Sequence, residues 1–493
     1  MKIASLLVCA VVAGVATTSA SHGAHHHRHH PHRQPAKQRF QVEAPKAAFD
    51  RAFHRVGKKD VDIWQMRAAD NTQHHVFHQR QHKTHDDNAD LMVRADIYAT
   101  PEAMARLSAE LGDDDAVDDR RHRPHHQQHG RTHHVKQYDE ESLVARDRRE
   151  VAECLARTKG YMDEFDNLER HSDSKYFECF HPHDQVFEFL DALTEANPDL
   201  ITKYDNVSMT YEGRSIPAYK ISTGCHSQDK EPKLALYTQA LIHAREWQSG
   251  ASTVYSMTRF IDDLKAEKPE TTELFDTFDW YFVPIVNIDG YVYTWEKDRM
   301  WRTSRHIYTD EDGEEVPGID LNRNFPPDQY FKVDPDDVDE ETHPGEYPLS
   351  EPSTRGLFHF VKSIDRISGI LDMHGYGGQV LRPFSDRPGE PAEPFGSQMR
   401  QLGAEIAKTL SQHGTHYVSE TGAWLYEAYG CFDDGMFSEY NFTVPAITIE
   451  VEGEDFVAPQ KTIVPVGKNI YGGLYTFADE CLAYHEMVED LEL

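Results

Sequence analysis

Three residues in this chain of 493 have the types and spacing to share one metal ion. His243 and Glu246 stand three apart in Ile242-His243-Ala244-Arg245-Glu246-Trp247, and His374 follows the strand-like run 369–373 in GILDMHGYGG. An imidazole at a strand end and a carboxylate in the next helical turn can reach a common point. Alone, H-x-x-E is a weak pattern, and acidic charge near the positive end of a helix dipole is its ordinary explanation. The second histidine completes a His2Glu set, which leaves the fourth position of a tetrahedral zinc open for water, as a catalytic site requires. Glu450 adds a carboxylate inside the apolar stretch Ala446-Ile447-Thr448-Ile449-Glu450. Burying that charge is costly unless it faces a cleft or an ion; a salt-bridged edge-strand residue is the alternative reading.

These residues need strands and helices to hold them. Strand-like runs at 233–240, 280–288, 369–373 and 446–451 alternate with helix-like stretches at 183–197, 248–264, 352–362 and 394–412, and 207–222 reads as a hairpin turning at Glu212-Gly213. Such alternation predicts an α/β sandwich with a largely parallel core, whose strand carboxyl ends are the usual place for ligands. Ahead of it a small folded unit is expected from about Val61, with strands at 61–64 and 89–98. A helix from Pro101 to Leu111 follows, with Thr100 as its cap. Residues 113–136 read as a loop, and the charge-dense 140–159 as an exposed helical connector whose arginines, with Arg170 and Lys175 beyond, are trypsin-like cutting points. The His-rich tract 21–45 reads as disordered: a solvated tail, with metal collection as the alternative.

Lys2, the apolar run 3–16 and Thr18-Ser19-Ala20 form a secretory signal peptide ending near Ala20. That apolar run is too short to span a membrane, and nothing later is long enough either. The expected product is therefore secreted and extracellular. Removing Cys9 with the leader leaves Cys154, Cys179, Cys225, Cys431 and Cys481, an odd number, so at least one thiol is free or pairs outside the chain. Asn206 and Asn441 head glycosylation sequons. A net charge of −33 argues against nucleic acid as a partner.

From about Tyr176 onward the sequence resembles the zinc metallocarboxypeptidases of the carboxypeptidase A/B family. HAREW, DRMWRTSR, GIDLNRNF, MHGY, LYEAYGCFDD and ITIEVEG match the family's motifs in the family's order over about 210 residues. The resemblance implies a mixed, largely parallel central sheet with helices on both faces, preceded by a small α+β pro-domain. It implies a signal peptide at 1–20 and a pro-region at 21–174, with 21–45 disordered, 46–138 inhibitory and 139–174 connecting. The catalytic domain at 175–493 would bind one zinc ion. His243, Glu246 and His374 would be the zinc ligands, and Asp320 the carboxylate that orients His243. Glu450 would be the general base that takes a proton from the attacking water and returns it to the leaving amine. Arg302 would face the developing oxyanion. Asn322 and Arg323 would hold the substrate's terminal carboxylate. Arg245, Tyr376 and Tyr426 would touch the substrate.

Counted along the motifs, Asp433 falls at the family's deciding pocket position and Ser385 at another, both as in members that remove Lys or Arg. A buried carboxylate on a pocket floor pairs with a cationic side chain and rejects an apolar one. The alternative is that loop register differs and Asp433 caps a turn. The function implied is a secreted, monomeric zymogen, activated by a trypsin-like protease, that removes C-terminal Lys or Arg from peptides. An apolar C-terminal preference, or a non-catalytic relative that grips C-termini, are the alternatives. One departure stands out: residues 323–358 carry no cysteine, where many members close this loop with a disulfide, and hold an acidic insertion instead (DPDDVDEE).

Overall fold

The computed structural model describes residues 37–57, 60–69, 91–113, 133–224, 232–309, 315–331, 341–412 and 414–491. The signal peptide, the histidine tract up to residue 36, Cys225 and the acidic insertion up to residue 340 lie outside the described residues.

At the front, β1 (Gln38–Pro45), β2 (Val61–Ala68), β3 (Met92–Ala99) and β4 (His134–Gln137) form an antiparallel sheet in the order β2-β3-β1-β4. Two helices, Lys46–Val56 and Pro101–Asp113, accompany it. Thr100 caps the second, its Oγ1 accepting the amide of Ala103 at 3.1 Å. This unit begins at Gln38, not at Val61, and the tract read as disordered supplies its third strand in order. Phe40, Val42 and Ala44 alternate inward and are buried, a period-2 pattern hidden by the histidine bias just before it. The expected 113–136 loop likewise ends in β4, which pairs with β1.

The central sheet comprises β5 (Ile201–Met209), β6 (Ser215–Ile221), β7 (Leu234–Ala240), β8 (Phe278–Val283), β11 (Ile367–Gly375), β12 (Gln379–Arg382), β13 (Val418–Thr421) and β14 (Ala446–Val451). A short antiparallel ribbon, β9 (Ile307–Thr309) and β10 (Glu315–Pro317), stands apart from it. The sheet order is β13-β12-β14-β11-β7-β8-β6-β5. β8, β7, β11 and β14 run parallel in the middle, as do β12 and β13, while β5–β6, β6–β8 and β12–β14 are antiparallel. β7 is buried along its whole length, as a strand covered on both faces must be. β8 ends at Val283, short of the expected 288, because Asn287 caps a new helix (Ile288–Glu296) by accepting the amide of Gly290 at 2.9 Å.

Helices Trp247–Lys265 and Ile463–Asp490 pack closely against one another. A Cβ on Gly467 would come within 2.7 Å of the Tyr255 ring, so only glycine allows that approach. The helix Glu140–Thr158 is not wholly exposed as expected: Asp147, Val151, Cys154 and Thr158 form a buried face. Val151, Tyr161 and Phe165, all before the expected boundary at 174/175, belong to the large core of the central sheet. A disulfide joins Cys154 to Cys179 across that boundary, while Cys431 and Cys481 are free and buried. No described helix is long and apolar enough to cross a membrane.

Candidate active site

The site lies at the carboxyl ends of β7, β11 and β14. Past β7 the chain turns at Leu241, whose φ of 55° is unusual for a residue with a side chain. Asn287 holds this turn by donating its backbone N–H to the Leu241 carbonyl at 3.0 Å. His243 then points inward, and Glu246 stands at the start of the helix Trp247–Lys265. His374 is the eighth residue of β11 and pairs in register with Glu450 of β14, so two parallel neighbours bring these side chains together from 76 residues apart.

His243 Nδ1 lies 2.8 Å from Glu246 Oε1, His374 Nδ1 lies 3.1 Å from Glu246 Oε2, and the two Nδ1 atoms are 3.1 Å apart. All three side chains are buried, and their donor atoms fall within 4.8 Å of one another. Two imidazole nitrogens and a carboxylate aimed at one point suit a zinc ion, whose charge would relieve the crowding of their lone pairs. Each imidazole is backed by a carboxylate on its far side. His243 Nε2 is 3.3 Å from Asp320 Oδ1, and His374 Nε2 is 3.0 Å from Asp372 Oδ2. Asp320 is among the residues expected from the sequence, and Asp372 is not. The signal was present: Asp372 and His374 are two apart on a strand and so share a face.

Arg302 donates to Asp320 Oδ2 through Nε (3.1 Å) and Nη2 (2.8 Å), and its Nη1 comes within 3.2 Å of His243 Nδ1. Burial would raise the Asp320 pKa, but Arg302 and Arg323 overcome it and hold the carboxyl well below its usual range. Glu246 shows the same balance, with the two imidazoles outweighing burial and lowering its pKa. Glu450 is the opposite case. Burial first, and then the negative charge of Glu246, push it up to about 8 against the pull of His374 and Arg302.

Arg323 donates from Nη2 to the Tyr426 hydroxyl at 3.1 Å and from Nη1 to the Asn322 carbonyl at 2.7 Å. Asn322 Oδ1 accepts the amide of Phe432 at 2.8 Å, tying this corner to the helix Phe432–Glu439. On that helix Asp433 is 3 % exposed. Its Oδ1 accepts the Asp434 amide at 2.9 Å and its Oδ2 the Thr448 hydroxyl at 3.3 Å. Burial, with the charge of Asp372 adding to it, raises Asp433 to about 6. Asp434 Oδ2 accepts the amides of Ser385 (2.7 Å) and Asp386 (3.1 Å), which places Ser385 beside this acidic pair.

Two predicted substrate contacts face the front unit. The Arg245 guanidinium lies 4.7 Å from the Trp64 ring centre and 4.3 Å from that of Phe456, and it pairs with Glu341 at 3.1 Å. The Tyr376 hydroxyl donates to Asp96 at 2.8 Å and accepts from Arg39 at 3.2 Å. Arg39 also pairs with Asp455. Trp424, Leu425 and Tyr426 pack against the apolar core of the front unit. Asn206 and Asn441 are both exposed, on β5 and in the turn after the helix Phe432–Glu439.

The profile of the zinc carboxypeptidases matches residues 186–471, more than half of the chain. The chain belongs to the zinc carboxypeptidase family. This metallocarboxypeptidase is 28 % identical to rat carboxypeptidase B2 over 308 residues, which cover 61 % of the chain and 70 % of the relative. It is 28 % identical to mouse carboxypeptidase A1 over 343 residues, covering 68 % and 78 %. Among solved structures, carboxypeptidase A from Helicoverpa armigera superposes with a TM-score of 0.66 at 20 % identity, over 91 % of this chain and 98 % of that one, a likeness of fold. Relatives named A and named B match at the same identity, so the side-chain preference must be argued from the residues themselves.

Proposed function

We propose that this metallocarboxypeptidase is a secreted zymogen that releases C-terminal Lys or Arg. The observation that carries the preference is Asp433: a buried carboxylate with an amide and a hydroxyl as its hydrogen-bond donors and no cation paired to it among the described residues. A lysine or arginine side chain would complete it, and a phenylalanine would leave it unpaired.

In this reading His243, Glu246 and His374 hold zinc, with Asp320 orienting His243. Bound there, zinc supplies Lewis acidity, which acidifies water and polarises a carbonyl. Glu450 accepts the proton of the attacking water on its carboxylate and passes it to the leaving nitrogen. A pKa pulled toward neutrality suits both halves of that task. Arg302 stabilises the negative charge that develops on the carbonyl oxygen. Asn322 and Arg323 bind the terminal carboxylate, a fork-shaped task for the guanidinium, with Tyr426 beside them. That clamp limits cleavage to one residue from the end. Ser385 lines the pocket next to Asp434, and Arg245 and Tyr376 meet residues before the scissile bond.

The zymogen reading rests on what covers those groups. Trp64 stacks on Arg245, Arg39 and Asp96 engage Tyr376, and the charge of Asp62 acts on Arg302 and Tyr426. The disulfide limits where activation can occur. A cut at Arg170 or Lys175 would leave the front unit tied to the enzyme through Cys154–Cys179, whereas a cut at exposed Arg146, Arg148 or Arg149 would free it. Export through the signal peptide, glycans on Asn206 and Asn441, and a monomeric state complete the proposal.

The test is to treat the purified protein with trypsin and assay hippuryl peptides ending in Arg, Lys, Phe or Leu, with and without a chelator. Chelator-sensitive release of Arg and Lys is expected. No release of any residue sinks the zymogen enzyme reading, and release of Phe but not Arg sinks the pocket assignment alone. Gels run with and without reductant locate the cut, since only a cut after Cys154 leaves fragments that separate on reduction.

A further inference from the structure

The two histidines of the metal corner are backed by carboxylates whose surroundings differ. Asp320 is braced: it accepts two hydrogen bonds from Arg302 and one from the amide of Asn322 at 2.9 Å, and Arg323 lies 4.0 Å away. Asp372 has none of this. It is 0 % exposed, neither carboxylate oxygen has an aligned hydrogen-bond donor, and its ion-pair partner among the described residues is His374 Nε2 at 3.0 Å. Its strand neighbours in register are Gln239 of β7 and Thr448 of β14, both uncharged. The Thr448 hydroxyl is turned to Asp433. Gln239 takes its hydrogen bond from the Tyr237 hydroxyl at 3.0 Å.

A buried carboxylate without an arginine or lysine is strongly disfavoured unless positive charge arrives from elsewhere. Among the described residues His374 is the one such source within its reach. We infer that Asp372 is a positioning residue dedicated to His374. It stands where it accepts the Nε2–H of His374 and so keeps the Nδ1 lone pair aimed at the zinc position. Carboxylates in this role change metal affinity by about 10–100-fold when removed. The difference from Asp320 is that the latter also anchors Arg302 and Arg323, so its loss would disturb the site whether or not metal is present. This inference rests on the reading that His243, Glu246 and His374 hold zinc.

The experiment is a zinc titration of the full-length protein against a competing chelator. It compares wild type, Asp372→Asn, Asp372→Ser and, as the reference for a lost ligand, His374→Ala, with melting temperatures taken in the metal-free and loaded states. Zinc affinity is expected to fall about 10–100-fold in both Asp372 variants. The metal-free melting temperature should stay level or rise, because a carboxylate charge has been removed from a fully buried position, and the gain on loading should shrink. After trypsin treatment, at saturating zinc, the ratio of Arg to Phe release should equal the wild-type ratio. Affinity within twofold of wild type overturns the inference, as does a metal-free protein destabilised in step with the affinity loss, which marks a structural role. A changed Arg-to-Phe ratio at unchanged affinity also overturns it and makes Asp372 a pocket group. Zinc retained by His374→Ala overturns the ligand assignment itself, and the inference with it.

Discussion

At the metal corner negative charge is met inside the protein: Asp320 by Arg302, Glu246 by two imidazoles, Asp372 by His374. At Asp433, on the helix Phe432–Glu439, it is met among the described residues by one amide and one hydroxyl. The pKa directions record the contrast. Charge partners outweigh burial at Glu246 and Asp320 and drive them down, while burial prevails at Asp433 and Asp434 and drives them up. The first region is built to stay assembled between turnovers. The second has no cation paired to it among the described residues, and in the proposed reading a substrate's side chain supplies one.

The contrast can be broken most severely at the metal. Stripping zinc from the trypsin-treated protein should abolish release from every C-terminus alike, and zinc should restore it; a residue-dependent loss would mean that metal and pocket are not separate. Glu450→Gln comes next, with zinc content unchanged and turnover lowered by about 10²–10⁴-fold on Arg- and Phe-ending peptides in equal measure. Zinc analysis and initial rates check both halves. Asp433→Asn should lower Arg release relative to Phe release by about 10²–10³-fold, the size of a broken buried charge pair, with no change in zinc content. A ratio that does not move would return Asp433 to the role of a turn cap.

The smallest effect is with pH. Burial pushes the Asp433 carboxyl up to about 6 in the folded state, from the ordinary aspartate value of about 4. Between those values the native state binds more protons than the unfolded one, so stability falls as pH rises through the window. Ionised Asp433 is what a cationic side chain needs. Arg release should therefore decline relative to Phe release as pH drops below about 6. Free arginine should raise the melting temperature above that pH and not below it. Rate ratios and thermal melts measured from about pH 4.5 to about pH 7.5 check both signs.

Much of the site was legible because it is local. His243 and Glu246 are three residues apart where a strand meets a helix, and Asp372 shares a strand face with His374, although the sequence reading passed over it. Most strand and helix positions of the central sheet followed from apolar periodicity. The failures had physical causes. β1 was lost because its alternating Phe40, Val42 and Ala44 adjoin a tract whose composition reads as disordered. The helix Glu140–Thr158 was read as exposed because charge dominates its sequence, yet Asp147 finds Arg299 at 3.1 Å and Cys154 finds Cys179.

By itself the sequence determined the donor set, the strand ends that carry it and the family, since these depend on residue type and short spacing. Only the tertiary structure decided which charges are answered. That Asp320 has arginines and Asp372 has one histidine depends on strand register and on what packs beside each strand. That Arg245 lies under Trp64, and that a disulfide crosses the connector, depends on contacts between segments far apart in the chain. Spacing along a chain carries no record of such contacts, because they are set by which faces can be buried together.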